Sequence, residues 1–170
     1  MKIQIHIPIK PHGKGRAKSS SRIIPGKFDK KGKPMISTRH YTPAKTESYE
    51  TVVETYARMA MGSNKPFTGP LKVTMLFIFE PHKAPKWKRE LELDGKIAHT
   101  VKPDIDNLIK SIFDGFNKVV WIDDAQITKP IPEKRYQRRG GAEQGIYVLV
   151  EELDQYPAQI MRKPSDTPNT

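Results

Sequence analysis

Ile3, Ile5, Ile7 and Ile9 alternate with Lys2, Gln4, His6 and Pro8, the period-2 pattern of a half-buried strand. Leu71, Val73, Met75, Phe77 and Phe79 alternate in the same way with Lys72, Thr74, Leu76 and Ile78, which predicts a second, largely buried strand. Ile127–Tyr136 and Ile146–Leu153 predict two more, joined through Gly140-Gly141, and Val119–Ile122 is a short apolar run suited to a buried strand. Elsewhere the period lengthens. Tyr49, Val52, Val53, Tyr56 and Met59 or Ala60 recur at helical spacing up to Met61-Gly62, with Thr42-Pro43 as N-cap and first-turn proline. Ile105, Leu108, Ile109, Ile112, Phe113 and Phe116 form one apolar helical stripe. Together these elements predict a single small α/β (α+β) domain over residues 1–153, with a mixed sheet packed by helices.

Three stretches lack such a pattern. Residues 10–41 are rich in Lys, Arg, Gly, Ser and Pro and read as a long, mobile basic loop with room for a short hairpin. Residues 81–100 form a charged excursion holding a short helix that ends at Asp94-Gly95, in which Trp87 fits a stack on a base or, the favoured reading, a pin to the body. Residues 154–170 lack periodicity and are expected to be disordered. In the sequence His6 and His12 stand apart from other candidate ligands and read as ordinary polar residues rather than ligands.

Composition narrows the class. A chain of 170 residues with 36% hydrophobic content can bury one real core. The net charge of +11 is concentrated in residues 1–45, where Asp29 is the single acid. Such a surplus favours phosphate backbones, although charge alone is equally compatible with a solubilising surface. The absence of cysteine excludes disulfides, zinc–thiolate sites and a thiol nucleophile, and fits a reducing cytosol. There is no signal-like apolar region at the N-terminus and no run of membrane-spanning length, so the expected location is the cytoplasm, with no membrane partner.

The chemistry lies in residues 102–127, KPDIDNLIKSIFDGFNKVVWIDDAQI. Asp104 and Asp106 open the apolar-striped helix. Taken alone they are well explained as caps, since carboxylates are stabilised at a helix N-terminus. Asp123 and Asp124 follow. A helix over 105–117 advances roughly 18 Å, and an extended chain from Asn117 to Asp124 spans roughly 23 Å. The chain therefore has the length to return Asp124 to Asp104 and Asp106. Three carboxylates at one place repel unless a cation neutralises them, and oxygen donors of this kind suit Mg²⁺ or Mn²⁺. With a basic surround, the implied reaction is metal-assisted phosphodiester cleavage. In a strand Asp123 and Asp124 point to opposite faces, so they should not both be ligands, and periodicity does not choose between them. Lys110, four residues after Asp106, fits either an i,i+4 ion pair or a cation aimed at the scissile phosphate.

These residues resemble the RusA family of Holliday junction resolvases, common in bacteria and prophages. The likeness rests on Asp104-Ile105-Asp106-Asn107-Leu108, then Lys110, then Asp114, then Trp121-Ile122-Asp123-Asp124-Ala125-Gln126-Ile127. It implies a small homodimeric endodeoxyribonuclease that uses Mg²⁺ to make paired, symmetric nicks in four-way DNA during recombination and repair. The family's essential carboxylates fall on Asp104, Asp106 and Asp124, and its active-site lysine on Lys110. Lys14, Arg16, Lys18, Arg22, Lys27, Lys102, Arg135, Arg138 and Arg139, with Lys129 and Lys134, are expected to hold phosphates of the branched DNA. Two other readings remain: a non-catalytic nucleic-acid-binding protein with a structural acidic cluster, and a less selective branched-DNA or flap nuclease.

Overall fold

The computed structural model describes residues 1–15, 18–41 and 44–154. The expected cap at Thr42-Pro43 and the expected disorder of 155–170 lie outside the described residues. Strands β1 (Lys2–Ile7), β4 (Leu71–Phe79), β5 (Ile127–Tyr136) and β6 (Gly145–Glu152) form one sheet in the order β1-β6-β4-β5. The β1–β6 and β6–β4 pairs are antiparallel and β4–β5 is parallel, so the sheet is mixed. Helices α1 (Ala44–Met61) and α3 (Ile105–Phe116) pack on each other and on this sheet, and α2 (Lys86–Leu93) lies in the β4–β5 crossover. A parallel pair needs such a crossover, and both α2 and α3 are carried by it.

The alternation read along β4 is observed from Leu71 to Phe77, and Ile78, on the other face, is buried as well. Leu71, Val73, Met75 and Phe77 are all fully buried, joined in one core with Ile5 and Ile7 of β1 and Ile146, Val148 and Val150 of β6. From above, α1 contributes Val53, Ala57 and Met61, and α3 contributes Leu108, Ile112 and Phe116. The two helices approach closely because Gly115 has no side chain: a Cβ there would lie 2.6 Å from Val53 Cγ1. On the opposite sheet face Gln4, His6, Thr74, Leu76, Tyr147 and Leu149 line an open concavity of about 330 Å³, with His6 stacked on Tyr147.

The structure departs from the sequence expectations at three places. First, residues 18–41 form a two-stranded ribbon, β2 (Lys18–Phe28) and β3 (Pro34–Tyr41), far longer than the short hairpin expected inside a loop. Second, Val119–Ile122 is not a strand. Val119, Val120 and Trp121 are buried, but in a tight turn in which Lys118 adopts φ 64° and its N–H donates to Trp121 O at 2.7 Å. Third, Trp87 is 65% exposed and pins nothing. Inside the excursion the fully buried Glu92 carboxylate accepts from the His82 backbone N–H and pairs with its Nδ1 at 2.7 Å each, and the link to the body is His99, stacked on Phe79 at 4.1 Å. Among the described residues no helix is long and apolar enough to cross a membrane.

Candidate active site

Asp104 is the last extended residue before α3, with φ −71° and ψ 148°. It occupies the N-cap position, yet its carboxylate makes no capping hydrogen bond, so the capping explanation of its presence does not apply. The approach to it is fixed by Lys134 on β5, whose ammonium donates to Val101 O and Pro103 O at 2.9 Å each. Residues 12–14 pack against the other side. Lys14 N–H donates to Asn107 O at 2.9 Å, and a Cβ on Gly13 would lie 3.0 Å from Pro103 Cβ, so glycine allows this close approach. The result is an open cleft of about 600 Å³ in which Asp104 faces Lys10, Lys14 and Lys102. A second hollow of about 300 Å³, sharing Lys10, Lys102 and Pro103, continues towards Lys83, His82 and His99. In the first turn of α3, Asp106 is exposed and forms the i,i+4 ion pair with Lys110 at 3.6 Å.

Asp123 and Asp124 sit on a different piece of structure. A 3-10 turn, Asp124–Gln126, follows the tight turn after α3, and Asp123 caps it by accepting from Ala125 N–H at 2.9 Å. Gln126 holds this turn in place. Its Oε1 accepts from the Ile122 and Asp123 amides at 2.9 and 3.0 Å, and its Nε2 donates to Phe67 O and Gly69 O at 3.0 and 3.1 Å. Asp123 is thereby tied to the backbone, whereas Asp124 stands exposed at the head of the turn. Gln126→Leu removes all four bonds and strands two part-buried carbonyls, together with two exposed amides. It is expected to cost about 1–3 kcal/mol, and to lower turnover with it. Gln126→Glu keeps the acceptor and loses the two donor bonds, so it should fall between. Unchanged melting temperature and rate in Gln126→Leu would refute this positioning role.

The sequence expected the chain from Asn117 to Asp124 to run back along α3. It does not. The turn at Lys118–Trp121 leaves Trp121 bridged to Asn117 and Phe67, near the C-terminal end of α3. Asp124 lies beside the start of β5, where Ile127 pairs with Leu71. Asp104 lies at the other end, next to the hollow lined by Phe79 and Tyr136, which close the same strand pair. Between them runs α3, whose twelve residues rise roughly 18 Å. Accordingly, among the described residues no three Asp, Glu or His side chains stand together as a metal site. The donor chemistry does suit a hard divalent cation, since the Asp104 carboxylate is unused for capping and Asp106 and Asp124 are exposed. One protomer alone does not assemble all three.

The basic residues divide into groups. Lys102 and Lys10 line the cleft, and Lys10 was not singled out in the sequence because it is one of many in a basic run. Arg22 and Lys27 stand exposed on the ribbon; the Lys18 backbone belongs to β2, and Arg16 lies outside the described residues. Lys14 bonds Asp114 and lies 3.5 Å from Glu50, so it ties the N-terminal segment to both helices. The hydrogen bond to Asp114, opposed by partial burial, holds its ammonium pKa above the usual lysine value. Arg139 pairs with Glu90 at 2.6 Å and Asp94 at 3.6 Å, and Arg138 packs over Gly95, so both fasten the excursion. Arg135 lies 3.8 Å from Glu133, and Lys134 and Gln126 are anchors whose roles need distant partners to be seen.

A mixed sheet, a helix that opens with two aspartates onto a lysine-lined cleft, and a basic ribbon define a small α+β domain suited to handling a polyanion. Residues 8–148 match the family described as endodeoxyribonuclease RusA, and the chain belongs to that family of nucleases. It is also similar to the uncharacterized protein YqaN of Bacillus subtilis (strain 168), with 25% identity over 118 residues, covering 65% of this chain and 77% of YqaN.

Proposed function

We propose that this chain is a Mg²⁺-dependent endodeoxyribonuclease that resolves four-way DNA junctions by paired, symmetric nicks in recombination and repair, working as a two-fold homodimer. The observation that carries this reading is the position of Asp104 and Asp106: an acidic helix start of the family's pattern that opens onto a cleft lined by Lys10, Lys14 and Lys102. Asp104, Asp106 and Asp124 are the residues that would hold the cation, with Mn²⁺ as a substitute. A bound cation would polarise the phosphoryl oxygen and lower the pKa of water.

The chain's own groups do the rest. Lys10 and Lys102 seat the phosphate backbone beside Asp104 and fix the strand without reading its sequence. Lys110, exposed and paired only loosely with Asp106, is free to turn to the negative charge that grows on the phosphate in the transition state. Two opposed strands must be cut, and a C2 dimer presents two equivalent sites with the symmetry of the junction. The separation of Asp124 from Asp104 within a protomer adds a second reason for a dimer, because a second copy can supply the missing carboxylate.

The test is cleavage of four-way, three-way and linear DNA of matched sequence, in Mg²⁺ and in EDTA, with nick positions mapped. Symmetric nicks confined to the four-way substrate and abolished by EDTA are expected. Equal cutting of all branched forms would replace resolution with general branch cleavage. Binding without cutting in Mg²⁺ or Mn²⁺ would leave a non-catalytic DNA-binding protein.

A further inference from the structure

The β2–β3 ribbon has no use in the site described so far. Every described side chain from Ser19 to Arg39 is exposed except Ile24. Among them are four large apolar groups, Ile23 at 62%, Phe28 at 63%, Met35 at 44% and Ile36 at 64% exposure. Ile23 and Ile36 are direct cross-strand partners, and Phe28 pairs with Pro34, so the apolar groups collect in the outer half of the ribbon. The inner half is polar: Ser21 and Thr38 hydroxyls bond each other at 2.9 Å, and Ser20 faces Arg39. At the tip, Asp29 accepts from the Lys31 and Lys33 amides at 2.8 Å each, which sets the turn. An isolated two-stranded hairpin is marginal in water, and exposed apolar surface of this kind marks a contact.

Charge identifies the partner. Arg22, Lys27, Lys30, Lys31, Lys33 and Arg39 surround the apolar groups, and the single acid, Asp29, is engaged in the turn. A second copy of the ribbon would bring like charge onto like charge, whereas DNA is complementary. A two-stranded ribbon also fits the width of a DNA groove. Ordinary duplex offers little to apolar side chains. At a branch point the stacking of base pairs is interrupted, and apolar groups can occupy the gap as wedges.

We propose that the β2–β3 ribbon is the branch-recognition element: Ile23 and Ile36, with Phe28 and Met35, contact base faces exposed where duplex arms meet, while the surrounding Lys and Arg grip the adjoining phosphates. The proposal rests on the branched-DNA reading above and assigns to one segment the selectivity that the cleft leaves open. It separates two properties. Apolar substitutions should lower preference for branched over linear DNA, and charge substitutions should lower binding to both.

The experiment measures binding of the full-length chain in EDTA to a four-way junction and to a linear duplex of the same sequence. A fluorescent adenine analogue is placed at the branch point. Ile23→Ser with Ile36→Ser changes exposed positions, and circular dichroism verifies that the fold is kept. Junction affinity should drop about tenfold or more, with linear affinity nearly unchanged and the unstacking signal at the branch lost. Lys30→Gln, Lys31→Gln and Lys33→Gln together should weaken both substrates and flatten the salt dependence, by nearly one unit of slope for each phosphate contact removed. Retained junction preference and fluorescence in the serine variant would overturn the proposal. So would a change in oligomeric state with DNA binding intact, which would make the ribbon a protein–protein contact. Failure of the parent chain to prefer the junction at all would instead refute the branched-DNA reading.

Discussion

Asp104→Asn, Asp106→Asn and Asp124→Asn should each lower junction cleavage by about two orders of magnitude or more, while junction binding survives or tightens. The substitution preserves size and removes one negative charge, so a ligand to the cation is lost and repulsion towards phosphate is relieved. None of the three is buried, and the Asp104 carboxylate makes no capping bond, so stability should scarcely change. Rate and melting temperature therefore separate a chemical role from a structural one. Asp123→Asn is the useful contrast, because Asp123 holds the 3-10 turn through Ala125. It should act through the placement of its neighbour and cost less. Lys110→Ala in the same assay should lose turnover far more than affinity, with Lys110→Arg a partial rescue, since the two cations differ in shape and reach. Wild-type cleavage by Asp104→Asn would end the carboxylate reading of that residue.

The second large effect is a recovery of activity on mixing two inactive chains. Asp104 and Asp124 lie at opposite ends of the β4–β5 pair, so a complete set of carboxylates calls for Asp104 and Asp106 of one protomer and Asp124 of the other. In a mixed dimer of Asp104→Asn and Asp124→Asn chains, one site then has every carboxylate and the other lacks two. Random reassortment should restore about a quarter of the parental nicking, as single rather than paired nicks. If each protomer completes its own site, mixing restores nothing. A readout independent of activity is available because the chain has no cysteine. Asp106→Cys and Asp124→Cys in one chain, treated with a short bis-maleimide crosslinker, should yield covalent dimers on a denaturing gel. Crosslinks confined within single chains would refute the shared site.

Much of this protein is legible in its sequence because burial is periodic. The alternation over Leu71–Phe79 and the run Ile127–Tyr136 define β4 and β5 with the observed bounds, and the stripe from Ile105 to Phe116 defines α3. The acidic residues were legible as well, since two aspartates ahead of such a stripe are locally encoded. The cleft was legible only as a bias towards Lys and Arg. Lys10, Lys14 and Lys102 share that charge with Arg139, yet Arg139 bonds Glu90 and fastens the excursion. Composition says how many cations there are, and their partners across the fold decide which of them face a ligand.

By itself, then, the sequence determined the strands of the sheet, the helices, the mixed α+β architecture, the family and the identity of the acidic residues, because each depends on short-range pattern, while the ribbon and the turn at Val119–Ile122 escaped it. Tertiary structure decided where those residues stand. A positive φ at Lys118 turns the chain sharply after α3, and four bonds from Gln126 seat the next turn against Phe67 and Gly69. Asp124 consequently stays at the C-terminal end of the helix that Asp104 begins. Chain length permitted the opposite path, and no periodicity distinguishes the two. One backbone dihedral and a set of hydrogen bonds to residues more than fifty positions away made the choice. The same holds for the ribbon: residues 18–41 carry strand-compatible side chains, but only the tertiary structure shows that Ile23 and Ile36 stay exposed rather than joining the core.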